Sequence, residues 1–318
     1  MKKLSLVFAI FTVISLILFM SSCTNLFTPS KSQVSVILTT GGSEGVSNVS
    51  RISETYTYTP SNSQQLSTEL QGMEHPWVRD IESLRIRVQK FSYKYSTGPG
   101  VTKWATPTVV DKVIDLVTLN DTEVSWLNFD VPKGAVIISV GFEISSATLT
   151  INGQEYTVTI PGNKKFIVLR NLNWEVKDDN HSIELLLDLP RIIVKIGDEY
   201  VLVPRIAYRW RGSLKLLWAI DGIVKTLDGS KPTELLAVAL FEGTNTEATP
   251  LVFKTIPIRA EGKFYLGKHK PGKYTVVIYN NLSISYSGEQ VNLNAQQATH
   301  TTFNHGSTTA HTHLELRY

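Results

Sequence analysis

The chain has 318 residues, 42% of them apolar, with 31 basic against 28 acidic side chains. That near balance excludes the electrostatic footprint of a nucleic-acid-binding protein and the basic cluster that draws a surface to anionic lipid. Cys23 is the sole cysteine, which excludes an internal disulfide, so the fold must rest on apolar cores, and the chain is long enough for more than one.

Lys2 and Lys3 precede an uncharged apolar run, Leu4 to Phe19, followed by Met20-Ser21-Ser22-Cys23. The run is shorter than the ~20 residues needed to cross a bilayer and ends in small residues, the pattern of a secretory signal peptide over residues 1–22. It resembles a bacterial lipoprotein signal, with Met20 standing where such signals usually carry leucine. The resemblance implies cleavage before Cys23, diacylation of its thiol and anchoring in the cell envelope. In an organism with two membranes, Thr24 after the lipidated residue resembles the class sorted to the outer membrane. Loss of Lys2 and Lys3 leaves 29 basic against 28 acidic groups. Residues 23–33, polar and containing Pro29, read as a tether.

Val34, Val36 and Leu38 alternate as a first strand. Residues 39–72 are rich in Ser, Thr, Gly, Asn and Gln, and read as a long polar insertion in which Thr55 to Tyr58 can form a short edge strand. Leu84, Ile86 and Val88 then share one face. Phe91, Tyr93 and Tyr95 continue in the opposite phase, which predicts a bulge near Lys90. Trp104 follows a Gly98-Pro99-Gly100 turn. Val109 to Leu119 fits a short helix or an irregular strand equally well.

The clearest signals lie in Val131 to Gly162. Val136, Ile138, Val140, Phe142 and Ile144 alternate with Ile137, Ser139, Gly141 and Glu143 as a half-buried strand. Asn152-Gly153 predicts a type I′ hairpin with Leu149 opposite Tyr156 and Ala147 opposite Val158. Phe166 to Leu169, Trp174 to Val176, the alternating Ile183, Leu185, Leu187 and Leu189, and Tyr200 to Val203 supply further strands. With no long amphipathic helix, the pattern predicts an all-β protein of two antiparallel sandwich-like domains, 34–211 and 212–318.

Asp115-Leu116, Pro132-Lys133-Gly134, Ile151-Asn152-Gly153, Ile160-Pro161, Asp188 and Pro204 in this order resemble the family called domain of unknown function 4382, over about Val34 to Ile206. That family occurs in bacterial lipoproteins and has no established activity, so the resemblance implies fold and anchoring. Where the family's first strand tends to run into Thr-Asp, Thr39 is here followed by Thr40. Beyond Gly212, the run Leu214 to Ile220, the pairs Asp221-Gly222 and Asp228-Gly229, Leu235 to Phe241, and Ala260 to Asn280 resemble a carboxypeptidase-regulatory-like β-sandwich. Phe264 there leads through Pro271-Gly272 to Tyr274, Val276 and Ile278 on one face. Such domains are non-catalytic modules of exported proteins.

No GxSxG elbow, HExxH pair or P-loop is present, and no catalytic residue, cofactor or metal ligand is assigned. The lipidated Cys23 is the one site residue. Asp188, at a strand end, is read as fixing the Pro190 corner. Tyr208 and Trp210 alternate with Arg209 and Arg211, giving an aromatic face and a cationic face suited to packing where the domains meet. His311 and His313 share a side and could take Zn²⁺ or Cu²⁺, but without a nearby carboxylate or a second fixed pair to complete the set, and with His300 and His305 in a Thr- and Gly-containing stretch, a solvated strand face is expected. The expected function is a non-catalytic, membrane-anchored envelope module with an envelope protein or glycan as partner. An envelope enzyme acting on glycans through distant carboxylates, and weak metal binding by the C-terminal histidines, are the alternatives.

Overall fold

The computed structural model describes residues 30–41, 52–57, 78–109, 111–160, 165–177, 180–189, 192–196, 198–202, 206–211, 217–287, 290–306 and 311–318. The signal peptide, Cys23 and the tether up to residue 29 lie outside the described residues, as does most of the polar insertion. The chain is all-β, built as two units of stacked sheets.

Strand β1 (Lys31–Thr40) starts inside the expected tether and buries Val34, Val36 and Leu38. From the insertion, β2 (Ile52–Thr57) forms an edge strand. Strands β3 (Ile81–Gly98) and β4 (Val101–Ala105) make the hairpin expected at Pro99-Gly100. Leu84, Ile86, Val88, Phe91 and Tyr93 all face inward because β3 bulges at Lys90, where φ reaches 51°. The undecided stretch is both extended and turned, as β5 (Lys112–Asp115) followed by a 3₁₀ turn at Thr118–Asn120. Asp115 makes the switch, its Oδ1 accepting from the Leu84 amide at 3.1 Å and from the Val117 amide at 3.0 Å.

Strand β6 (Val124–Pro132) leads into β7 (Val136–Ile151) and β8 (Gln154–Val158), whose hairpin has the expected register, Ala147 to Val158 and Leu149 to Tyr156. Asn152 and Gly153 take φ of 51° and 74°, the left-handed pair that a type I′ turn requires. One expectation fails here. Between Ile137 and Ser139 the register slips against β9 (Phe166–Glu175), so the inward set is Ile137, Val140, Phe142 and Ile144, and the simple alternation from Val136 does not hold. Strand β10 (His181–Leu187), the hairpin of β11 (Ile193–Ile196) with β12 (Glu199–Leu202), and β13 (Ile206–Arg211) complete this unit. Its sheets run β13-β10-β1-β6 and β4-β3-β7-β8, with β5 on β3 and β9 on β7.

The second unit sets β14 (Trp218–Lys225), β17 (Lys263–His269) and β20 (His311–Arg317) in the order β17-β14-β20. Facing them are β15 (Leu236–Glu242), β16 (Val252–Ile256), β18 (Gly272–Ser287) and β19 (Gln290–His305), ordered β16-β15-β18-β19-β2. Phe264, Tyr274, Val276 and Ile278 meet in the core between these sheets, as expected. Two sheets are mixed where antiparallel ones were expected: β1 runs parallel to β10, and β14 parallel to β20. Gly222 lies within β14. A Cβ there would come within 2.4 Å of the Leu314 carbonyl and 2.6 Å of the Phe264 ring, so glycine lets β20 and β17 close on the strand.

The core is not divided at Arg211-Gly212. Leu236, Val238 and Leu240 face into the second unit, while Ala237, Ala239 and Phe241 join Phe253, Val277 and Tyr279 in one contiguous core with the first unit. A sheet buried on both faces accounts for the unbroken apolar run Leu235 to Phe241. The same holds for β10, which was expected to alternate but is buried at every position, Ser182, Glu184 and Leu186 included.

Candidate functional site

The most concentrated chemistry lies where the units meet. Glu184 on β10 projects between Arg209 and Arg211, its neighbours on β13, with Oε2 2.8 Å from Arg209 Nε and 2.8 Å from Arg211 Nη2. Neither contact is aligned as a directed hydrogen bond, and both act as ion pairs. Burial, opposed by Glu184, pushes the Arg209 guanidinium down to about 10, which leaves it charged at neutral pH. Across the junction, Lys254 of β16 is 2% exposed and donates to the carbonyls of Asn120 at 2.9 Å and Tyr265 at 2.8 Å. Burial pushes its ammonium down to about 7, against the pull of Asp121 and Glu184.

Asn120 in turn donates from Nδ2 to the Lys263 carbonyl at 2.7 Å. Lys254 and Asn120 therefore satisfy two successive outward carbonyls of β17, which ends its sheet, and so cover a strand edge that would otherwise stand open. Glu123 accepts from Tyr265 Oη at 2.7 Å and from Lys268 Nζ. His269 is held neutral, pushed down to about 3 by burial and by Arg211, and its Nε2 meets the Leu266 carbonyl at 2.9 Å. This arrangement binds one unit to the other.

Beside the junction, Arg79, Asp80, Glu82, Asn152, Lys231, Pro232, Arg259 and Glu261 line an open groove of about 440 Å³. Three carboxylates gather there, a place where a glycan-cleaving reading could set an acid and a base. Each is already engaged: Glu261 with Lys231 at 2.6 Å, Asp80 with Arg79 at 3.4 Å, and Glu82 with the Gly153 amide at 3.1 Å. The Lys231 ammonium holds the Glu261 carboxyl below its ordinary range, the opposite of what a general acid needs.

Arg209 and Arg211 do reach the junction, but Tyr208 and Trp210 pack within the first unit. Trp210 lies between Trp174, at 5.4 Å and 4°, and His181, at 4.7 Å and 10°, while Tyr208 meets the edge of Trp174 at 5.5 Å. Asp188 is buried just past the end of β10. The histidines depart from expectation in two ways. His305 lies buried in β19, with Nε2 3.0 Å from the Trp218 carbonyl and Nδ1 2.8 Å from Thr312 Oγ1, so it is no part of a loose tail. A carboxylate from another strand reaches the pair: Asp221 of β14 sits between His311 and His313, 2.6 Å from each.

Glu184, Lys254 and Glu123 were not singled out from the sequence, and Asp221 was noted only in the pair Asp221-Gly222. A usable signal existed for the first two, because a lone charge inside HSIELLL or VFKTI must find a partner or stay neutral. No protein-family model matches the chain, and no curated protein matches it. Among solved structures it is similar to the shaft pilin spaA from Lactobacillus rhamnosus GG, at 10% identity and a TM-score of 0.20, over 91% of this chain and 98% of that one.

Proposed function

We propose that this chain is a lipid-anchored structural or binding module of the bacterial cell envelope that catalyses no reaction. The observation that carries the reading is the junction: a continuous core joins the two units, and buried charges there are matched across and beside it. Such a construction fixes the units against each other and commits its titratable groups to structure. The anchor rests on Lys2, Lys3, the apolar run and Cys23. The kinship of the first unit with the domain of unknown function 4382 family, and of the second with carboxypeptidase-regulatory-like domains, rests on the motifs quoted above. The partner is an envelope protein or glycan.

Two measurements test this. Cys23→Ala is expected to leave an unprocessed precursor that takes up no labelled fatty acid, and normal processing with continued labelling would end the anchor. The purified protein, incubated with envelope glycans, is expected to release no new reducing ends. Release that disappears in Asp80→Asn, Glu82→Gln or Glu261→Gln would turn the groove into an active site and sink the non-catalytic reading.

A further inference from the structure

Parallel pairing of β14 with β20 sets Asp221 level with His313 and Ala219 level with His311. The two-residue period of a strand then puts Asp221, His311 and His313 on one face. Asp221 Oδ1 lies 2.6 Å from His313 Nδ1, and Oδ2 lies 2.6 Å from His311 Nε2. The two imidazoles remain open to solvent, at 52% and 59% side-chain exposure, with the carboxylate at 26%. Thr312 between them turns the other way and meets buried His305, which pins the middle of the pair to the sheet beneath.

We propose that Asp221, His311 and His313 form a binding site for a divalent transition-metal ion of the Zn²⁺, Ni²⁺ or Cu²⁺ type. Two imidazole nitrogens and one carboxylate oxygen are the donor set that favours these borderline ions over Mg²⁺ or Ca²⁺, which take oxygen ligands. All three residues stand on paired strands, so the backbone cost of bringing them together is already met by folding. Remaining coordination positions face water, as in an open site.

In the present geometry protons occupy the ion's place. A nitrogen–oxygen spacing of 2.6 Å is that of a hydrogen bond, and among the described residues no three such side chains are already spaced to hold an ion. Each imidazole meets a different carboxylate oxygen, so ligand bonds of about 2.0–2.2 Å to one ion need both rings to swing toward a common position, a rotation open to side chains this exposed. The two ring protons now directed at the carboxylate would then be carried on the other nitrogen of each neutral ring. Glu315, next on the same face, is engaged by Lys225 at 2.6 Å and is not a ligand.

The test is calorimetric titration of the untagged full-length protein with Zn²⁺, with imidazole nitrogen resonances as a second readout. One equivalent is expected to bind saturably, shifting the His311 and His313 resonances, while Mg²⁺ and Ca²⁺ give no heat. Asp221→Asn, His311→Ala and His313→Ala should each weaken binding by at least about tenfold, with unchanged circular dichroism, and His300→Ala should leave it as it was. Absence of Zn²⁺ binding, wild-type affinity in the His311→Ala/His313→Ala protein, or an unaffected Asp221→Asn would each overturn the site.

Discussion

Glu184→Ala is expected to destabilise the protein by about 3–5 kcal/mol, seen as a lower denaturant midpoint. The carboxylate is the shared counter-charge of two arginines whose side chains are only 21% and 12% exposed. Removing it leaves two like charges side by side in a poorly hydrated junction, where Arg209 is already disfavoured by burial and by Arg211. Replacing Glu184, Arg209 and Arg211 together by apolar residues of similar volume should cost far less, because no orphaned charge remains. A loss below about 1 kcal/mol in Glu184→Ala would mean that the junction opens to water.

Stability is expected to rise with pH between about 7 and 9.5, and to lose most of that slope in Lys254→Met. Folding lowers the Lys254 pKa to about 7, whereas an unfolded lysine titrates near 10.4. Across this window the unfolded chain therefore binds a proton that the folded chain does not, and lowering the pH favours unfolding. The slope approaches about 1.4 kcal/mol per pH unit, roughly 3 kcal/mol over the window. The value near 7 already includes the attraction to Asp121 and Glu184, which opposes the effect of burial. The window stops short of pH 10 because Tyr93 and Tyr318, pushed up to about 12 by burial, would ionise first in the unfolded state and reverse the trend. Lys254→Met should also be weaker at pH 7, since the Asn120 and Tyr265 carbonyls lose their donor. Equal slopes in the two proteins would show that Lys254 stays charged when buried.

What could be read from the sequence was local. The Asn152-Gly153 register, the bulge at Lys90 and the shared face of Tyr274, Val276 and Ile278 depend on turn chemistry and a two-residue period within a few positions of each other. What could not be read was set by partners far along the chain. Ser182, Glu184 and Leu186 look solvent-facing beside Ile183 and Leu185, and they are buried because a second unit covers them. The His311–Asp221–His313 arrangement needs β14 and β20 to pair in parallel, and no short-range rule predicts that pairing or its register.

The position of β2 bears on the order in which the protein is finished. Thr57 pairs with Gln290 and Ile52 with Ala295, so this segment closes a sheet whose next strand lies about 230 residues further along the chain. Closing so long a loop is slow but thermodynamically mild, since its entropy cost grows only with the logarithm of length. A nascent chain stopped before β19 has an unpaired edge on β18, with Tyr274 to Ile278 open to strand addition by another molecule. Copies that stop short of β19 are therefore the ones expected to add strands to one another.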